Sequence, residues 1–159
     1  MELKKIHKDS IPAALGKAQT WRLLNQPEEM ESICRDILAV EPKNDMAIRL
    51  LGLAIVDQFN GTQHDRYQEA LRLFHSLEDP YQRLYRTGYA HERRAKAELR
   101  IGRPSYEVAA LLRDALTCFE EAANVRPPGN DEALLRWNHC VRLVQSRPDL
   151  EWMSQRRRS

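Results

Sequence analysis

The sequence predicts an all-α fold built from stacked helix pairs. Apolar residues recur at helical spacing along nearly the whole chain, turn-forming residues interrupt this pattern at intervals, and no segment alternates like a β-strand. The chain has 159 residues, 42% hydrophobic and 30% charged, which is typical of one globular domain. The longest apolar run, residues 50–56, is far shorter than the roughly 20 residues that cross a membrane. We therefore expect no membrane association.

Six breaks delimit seven predicted helices. The breaks contain Pro, Gly, Asn or Asp and lie at residues 25–27, 42–44, 60–61, 79–80, 102–104 and 127–129. Pro27 and Pro80 suit the first turn of a helix. Asn44 or Asp45 is expected to cap the third helix, and Asp65–Gln68 resembles a capping box for the fourth. The seventh helix is expected to run from about residue 130 to residue 146.

Corresponding residues recur in successive helix pairs. The first helices of two successive pairs share a pattern of a large, a small and a large residue at the same spacing. These residues are Ile48, Gly52 and Ile55 in one helix, and Leu84, Gly88 and His91 in the other. The second helices share another spacing: Met30, Cys34, Ile37 and Pro42, then Ala115, Phe119, Ala122 and Pro127, with Ala70, Phe74 and Leu77 matching its first three positions. This pattern resembles the tetratricopeptide repeat, a helix pair of about 34 residues. The small residue lets the paired helix approach closely.

The resemblance implies an α-α superhelix of about three helix hairpins followed by a C-terminal capping helix. It covers residues 11–146, which leaves an N-terminal extension at 1–10 and a basic C-terminal tail at 147–159. The third hairpin is longer than the family repeat, because no helix-breaking residue lies between Tyr81 and Ile101. We expect helices five and six to form an elongated, protruding antiparallel hairpin.

Charge and cysteine content favour a reduced protein with a nearly neutral folded body. The net charge is +2, and the basic excess lies in the two terminal segments rather than in residues 11–146. The three cysteines, Cys34, Cys118 and Cys140, fall within helical apolar patterns and form no Cys-x-x-Cys pair. Buried thiols and a cytoplasmic location are therefore expected.

No arrangement of residues predicts catalysis. The five histidines are scattered, the segment at His91-Glu92 lacks the second histidine of a zinc protease motif, and no glycine-rich phosphate loop is present. His91 falls where the repeat places a packed aromatic, so a core or half-buried histidine is expected. We accordingly expect no enzyme activity, no metal and no cofactor.

In a repeat superhelix the first helix of each pair lines the concave side, which offers an extended binding surface. The resemblance therefore places the partner-binding residues there: Arg22, Arg49, Leu53, Tyr85, Tyr89, Arg93, His139 and Arg142. Tyr and Arg often carry much of the binding energy at interfaces, and a guanidinium can hold a carboxylate with two hydrogen bonds. The expected function is a non-enzymatic module that binds another protein or peptide, one with acidic groups. The competing explanation is that an arginine-rich chain places arginine on every surface.

A second functional hypothesis is an anion- or RNA-binding helical repeat. Arg86, Arg93 and Arg100 recur at intervals of seven and share one stripe, to which Arg49 and the tail residues Arg156–Arg158 would add. The neutral body makes nucleic acid the less favoured partner, because duplex-binding domains concentrate positive charge on their folded surface.

Some members of the tetratricopeptide family hold a C-terminal carboxylate through Lys and Asn residues of their first helices. The corresponding places here hold Leu15, Gln19, Leu50, Gln82 and Arg86. Only Arg86 has a suitable charge, so the chain is not expected to be a carboxylate-clamp co-chaperone. Homodimerisation through an exposed terminal helix is a further expectation.

The segment that follows Pro148 carries an apolar group of Leu150, Trp152 and Met153. An apolar group of this kind in a tail more often packs onto the last helix than stays exposed to bind another molecule. We therefore expect it to fold back, and a free tail would instead make it the first candidate for self-association.

Overall fold

A computed structural model of the chain describes residues 1–155. It contains seven α-helices of 12 to 21 residues, preceded by a short 3-10 helix at Lys8–Ser10. In chain order the helices are α1 (Ile11–Leu23), α2 (Pro27–Val40), α3 (Asp45–Val56), α4 (His64–His75), α5 (Pro80–Arg100), α6 (Ser105–Asn124) and α7 (Glu132–Gln145), with a final turn, α8 (Trp152–Gln155). None of residues 1–155 lies in a β-strand. The predicted all-α class is confirmed.

Two of the helices α1–α7 begin with a side-chain cap hydrogen bond, α3 and α5. The side chain of Asn44 caps α3 by accepting a hydrogen bond from the backbone N–H of Ala47 at 2.9 Å, and Asp79 caps α5 in a similar way at 3.1 Å. The capping box predicted for α4 is wrong. That helix begins at His64, so Asp65 lies inside its first turn, where it makes no capping hydrogen bond.

The small residues of the repeat pattern allow the paired helices to pack closely. A Cβ added to Gly52 of α3 would lie 2.3 Å from Cε1 of Phe74 in α4. A Cβ added to Gly88 of α5 would lie 2.8 Å from Cε1 of Phe119 in α6. Both rings are fully buried, so neither can move away into solvent. The predicted role of the two glycines is confirmed.

The elongated hairpin consists of α5 and α6, with 21 and 20 residues. A short turn at residues 101–104 joins the two helices, and Gly102 adopts a positive φ of 77° there, a conformation that favours glycine. The tip of this hairpin exposes Ile101 and Tyr106.

The segment after α7 packs back onto the domain, as predicted. Leu150 is fully buried in a cluster with Val108, Leu112 and Val144, and Trp152 packs against the same cluster. The guanidinium carbon of Arg113 lies 4.7 Å from the centre of the Trp152 ring. Residues 147–153 are therefore part of the folded body, whereas Arg156–Arg158 lie outside the described residues.

His91 and the three cysteines contribute to the packing of the domain. His91 is half-buried, and its Nδ1 lies 2.5 Å from the hydroxyl oxygen of Tyr67. Burial lowers the pKa of His91, which is the expected behaviour of a packed histidine. Cys34 and Cys140 are buried and Cys118 is half-buried, and all three thiols are free.

Candidate functional site

The odd-numbered helices contact one another along one side of the domain. Each helix packs against the next in sequence, and in addition α1 contacts α3, α3 contacts α5, and α5 contacts α7. We call the surface formed by the outward side chains of α1, α3, α5 and α7 the odd-helix face. All the predicted partner-binding residues belong to these four helices.

Three of the predicted partner-binding residues lie in the core, so their assignment to an open surface is wrong. Leu53 is 2% exposed, and Tyr85 and Tyr89 are each 8% exposed. Tyr85 stacks on Tyr81 with ring centres 5.7 Å apart and also contacts Phe119. The Tyr85 ring lies in a buried cluster that α5 forms with α6 and α7. Leu53 and Tyr89 lie in a second buried cluster, which also contains Phe74 of α4.

The other predicted residues remain accessible. Arg22, His139 and Arg142 are exposed, and Arg49 and Arg93 are half-buried. The odd-helix face is therefore more basic and less aromatic than the sequence suggested.

Three of its arginines come from three successive odd-numbered helices: Arg22 of α1, Arg49 of α3 and Arg86 of α5. We call this group the arginine cluster. Arg22 is partly neutralised by Asp57, whose Oδ2 lies 3.5 Å from the arginine Nε. No carboxylate oxygen within residues 1–155 lies within 4.0 Å of the guanidinium of Arg49 or Arg86.

Arg49 and Arg86, the two members of the cluster without a carboxylate partner in residues 1–155, contact only uncharged groups. Arg49 donates a hydrogen bond to the thioether sulfur of Met46, a weak acceptor. Arg86 donates from Nε to the amide oxygen of Gln82 at 3.1 Å, and its guanidinium carbon lies 5.0 Å from the centre of the Tyr85 ring. A guanidinium offers five N–H donors, so most of the donors of these two residues make no hydrogen bond within the described part of the chain.

The charges of Arg22 and Arg49 act on Arg86. Burial lowers the pKa of Arg86, and the positive charges of Arg49 and Arg22 lower it further, against opposing effects of Tyr85 and Glu132. Arginine nevertheless stays protonated in proteins. The cluster is therefore a permanent concentration of positive charge on the odd-helix face.

A second polar group, which the sequence did not predict as a unit, joins α5 to α7. We call it the Glu92 cluster, and it consists of Glu92, Lys96, Arg136, His139 and Cys140. The Glu92 carboxylate is fully buried, with Oε1 lying 3.3 Å from Lys96 Nζ and Oε2 lying 3.6 Å from Arg136 Nε. The guanidinium carbon of Arg136 also lies 4.9 Å from the centre of the Tyr89 ring.

The remaining members of the Glu92 cluster close around the same carboxylate. His139 Nε2 lies 3.7 Å from Oε1 and 2.7 Å from Lys96 Nζ, and Cys140 Sγ lies 3.6 Å from Oε1. Burial lowers the pKa of His139, and the neighbouring Lys96 charge lowers it further. Burial and the adjacent carboxylate both raise the pKa of Cys140. The cluster fastens α7 to α5 and is surrounded by cations on its exposed side.

The thiols do not suit nucleophilic chemistry. Burial raises the pKa of Cys34 to about 12 and that of Cys118 to about 11, so neither forms the reactive thiolate at neutral pH. Within the described part of the chain, no three His, Cys, Asp or Glu side chains are grouped to hold a metal ion. The odd-helix face instead presents guanidinium groups, which can donate charge-assisted hydrogen bonds to an anion.

Comparison with protein-family models, with curated proteins and with solved structures finds no match for this chain. Among residues 1–155, no helix combines the length and the apolar character that crossing a membrane requires.

Proposed function

We propose that the chain is a tetratricopeptide-like helical-repeat module that binds an acidic segment of a partner protein across the odd-helix face. The observation that carries this proposal is the arginine cluster, in which Arg49 and Arg86 project from neighbouring helices without a carboxylate within 4.0 Å in residues 1–155. Charges in a folded protein are usually paired where they are partly buried. An acidic ligand would supply the missing partner.

The repeat assignment draws support from equivalent packing in successive helix pairs. Gly52 faces Phe74, and Gly88 faces Phe119, at matching places in the α3/α4 and α5/α6 pairs. The odd-numbered helices also contact one another, as the first helices of stacked pairs do in solenoid proteins. The concave binding side of such a solenoid would correspond to the odd-helix face. The three free thiols fit a reducing, cytoplasmic location, which belongs to this proposal.

An acidic protein segment fits this face better than single-stranded nucleic acid does. Proteins that bind single strands commonly stack bases on exposed aromatic rings. Tyr85 and Tyr89 are buried, and the guanidinium groups of Arg86 and Arg136 cover them. The face therefore offers charge and hydrogen-bond donors without a stacking platform.

The experiment compares the affinity of acidic peptides for matched charge variants. Fluorescein-labelled peptide pools rich in Asp and Glu are titrated with the wild type, with Arg49→Glu/Arg86→Glu, and with the control Arg72→Glu/Arg103→Glu. The control changes the net charge by the same amount at exposed positions away from the cluster. Circular dichroism first establishes that each variant is folded.

The proposal expects the cluster variant to lose affinity roughly tenfold or more, because each 1.4 kcal/mol of lost interaction is about a factor of ten. The control should lose much less. Equal losses in both variants would mean that the net charge, and not the odd-helix face, attracts the peptides. Tight binding of RNA in place of the peptides would promote the RNA-binding hypothesis.

A further inference from the structure

Arg86 is a partly buried cation without a carboxylate partner in residues 1–155. Its side chain is half-buried, its pKa is lowered by that burial and then by two neighbouring arginines, and no described carboxylate pairs with it. Neither of its terminal nitrogens makes a hydrogen bond within residues 1–155. A buried or partly buried cation without a counter-charge destabilises a fold. This arrangement is typical of a site whose counter-charge arrives with a ligand.

The geometry favours a compact ligand with more than one negative charge. Arg22, Arg49 and Arg86 project from three helices that contact in sequence, α1 on α3 and α3 on α5. One carboxylate carries a single charge on two acceptor oxygens. A phosphoryl group on Ser or Thr carries about −1.5 to −2 charges and three strong acceptor oxygens at pH 7, so it can engage several guanidinium groups at once.

We propose that the arginine cluster is a receptor for the phosphoryl group of a phosphoserine or phosphothreonine in the bound segment. This inference rests on the proposed function, because it names the chemical group that the odd-helix face recognises. Arg86 provides its two free terminal nitrogens, and Arg49 provides the donors that its contact with Met46 leaves unused. Arg22 adds charge and keeps its ion pair with Asp57.

A phosphorylated protein segment is favoured over the other carriers of phosphate. Proteins that bind single-stranded nucleic acid commonly stack bases on exposed aromatic rings, and the rings of Tyr85 and Tyr89 are buried. A segment of protein chain can instead place one phosphoryl group on the cluster while its backbone crosses the neighbouring helices. Binding to anionic membranes is treated as an outcome of the test.

The test uses three labelled peptide pools with identical randomised flanks of Gly, Ser, Asp and Glu. The fixed central residue is serine, glutamate or phosphoserine. Fluorescence anisotropy measures the affinity of each pool for the wild type, for Arg86→Met and for the control Arg72→Met. Methionine removes the charge and keeps an unbranched chain in place of the aliphatic part of arginine, and circular dichroism establishes that each variant is folded.

The phosphoserine pool should bind the wild type roughly tenfold more tightly than the glutamate pool, and Arg86→Met should remove most of this preference. Arg72→Met should retain the preference. Equal affinity for the glutamate and phosphoserine pools, lost together in Arg49→Glu/Arg86→Glu, would overturn the phosphoryl assignment while the proposed function stands. Failure of both acidic pools to bind would overturn both.

A second measurement does not depend on the peptide context. Inorganic phosphate should raise the melting temperature of the wild type above that in chloride at equal ionic strength, and it should do so less for Arg86→Met. The free Arg86→Met protein should melt at a higher temperature than the free wild type, since the variant loses an unpaired cation. A lower melting temperature for Arg86→Met, with no phosphate effect on the wild type, would contradict the inference. Binding to phosphatidylcholine vesicles that contain phosphoinositide, without binding to phosphoserine peptides, would also overturn it.

Discussion

Replacing Gly52 by alanine tests the helix packing on which the odd-helix face depends. The new Cβ would lie 2.3 Å, 2.7 Å and 2.9 Å from three carbons of the Phe74 ring, well inside van der Waals contact. Phe74 is fully buried, so α3 and α4 must move apart. Overpacking a core typically costs about 1–3 kcal/mol, and contact with three ring atoms places this case at the upper end. Alanine regains about 1 kcal/mol of helix propensity, which leaves a net loss of about 2 kcal/mol.

Gly16 of α1 provides the matched control, because a Cβ added there meets no atom within 4 Å. Gly16→Ala should therefore raise the free energy of unfolding by up to about 1 kcal/mol. Chemical denaturation of both variants gives this comparison directly, and Gly52→Ala should also melt about 4–8 °C below the wild type. The packing argument is refuted if Gly52→Ala is stabilised as much as Gly16→Ala.

Three further variants test the ion pairs and the C-terminal packing. Burial alone would raise the pKa of Glu31, yet hydrogen bonds from Arg66, Gln58 and Arg35 lower it from 4.5 to about 2. The stabilisation, at most about 3 kcal/mol, is therefore complete above pH 4.5 and is lost as the pH falls towards 2. Denaturation at several pH values should show Glu31→Gln less stable than the exposed control Glu28→Gln at pH 7, with the difference shrinking in acid; a constant difference would contradict the assignment. Leu150→Ala should lower the free energy of unfolding by about 2–4 kcal/mol, whereas Leu135→Ala, which is 66% exposed in the wild type, should change it little; similar small effects would mean that the C-terminal segment is not docked. Glu92→Gln should cost about 2–4 kcal/mol, because it leaves Lys96 and Arg136 without their buried counter-charge, and an unchanged urea midpoint would argue against the Glu92 cluster.

Local sequence patterns were sufficient to predict the helices and their pairing. The breaks contain residues that stop helices for reasons of backbone chemistry, and the observed helices fall between them. Gly52 and Gly88 could be singled out because a small residue on an apolar stripe indicates a close approach of another helix. Phe74 and Phe119, which the structure places against these glycines, occupy equivalent positions of the spacing that the second helices share.

The partly wrong prediction of the site arose from packing between distant helices. Tyr85 and Tyr89 stand at places that the repeat pattern leaves open, but α7 packs onto α5 and Arg136 covers the Tyr89 ring. The spacing of residues within α5 carries no information about that contact. The sequence carried one signal for the buried position of Glu92. Its spacing from Tyr85 and Tyr89 places all three residues on one face of α5, where a charged residue is unexpected.

The arginine cluster was only partly visible for a related reason. Arg49 and Arg86 could be named from the repeat positions, but the sequence does not state which carboxylates reach them. Asp57 pairs with Arg22 across two helices, and no described acid does the same for Arg86. Pairing of this kind depends on tertiary distances, which side-chain periodicity does not determine.

The most direct test of acidic-ligand binding observes the arginine side chains themselves. Nε–Hε resonances of the arginines, assigned by single substitution to lysine, are followed by NMR during titration with an acidic peptide pool. The proposed function predicts that the resonances of Arg49 and Arg86 shift together and saturate at one dissociation constant, while those of Arg72 and Arg103 stay in place. Shifts confined to Arg93 and Arg100, or uniform small shifts at every exposed arginine, would contradict it.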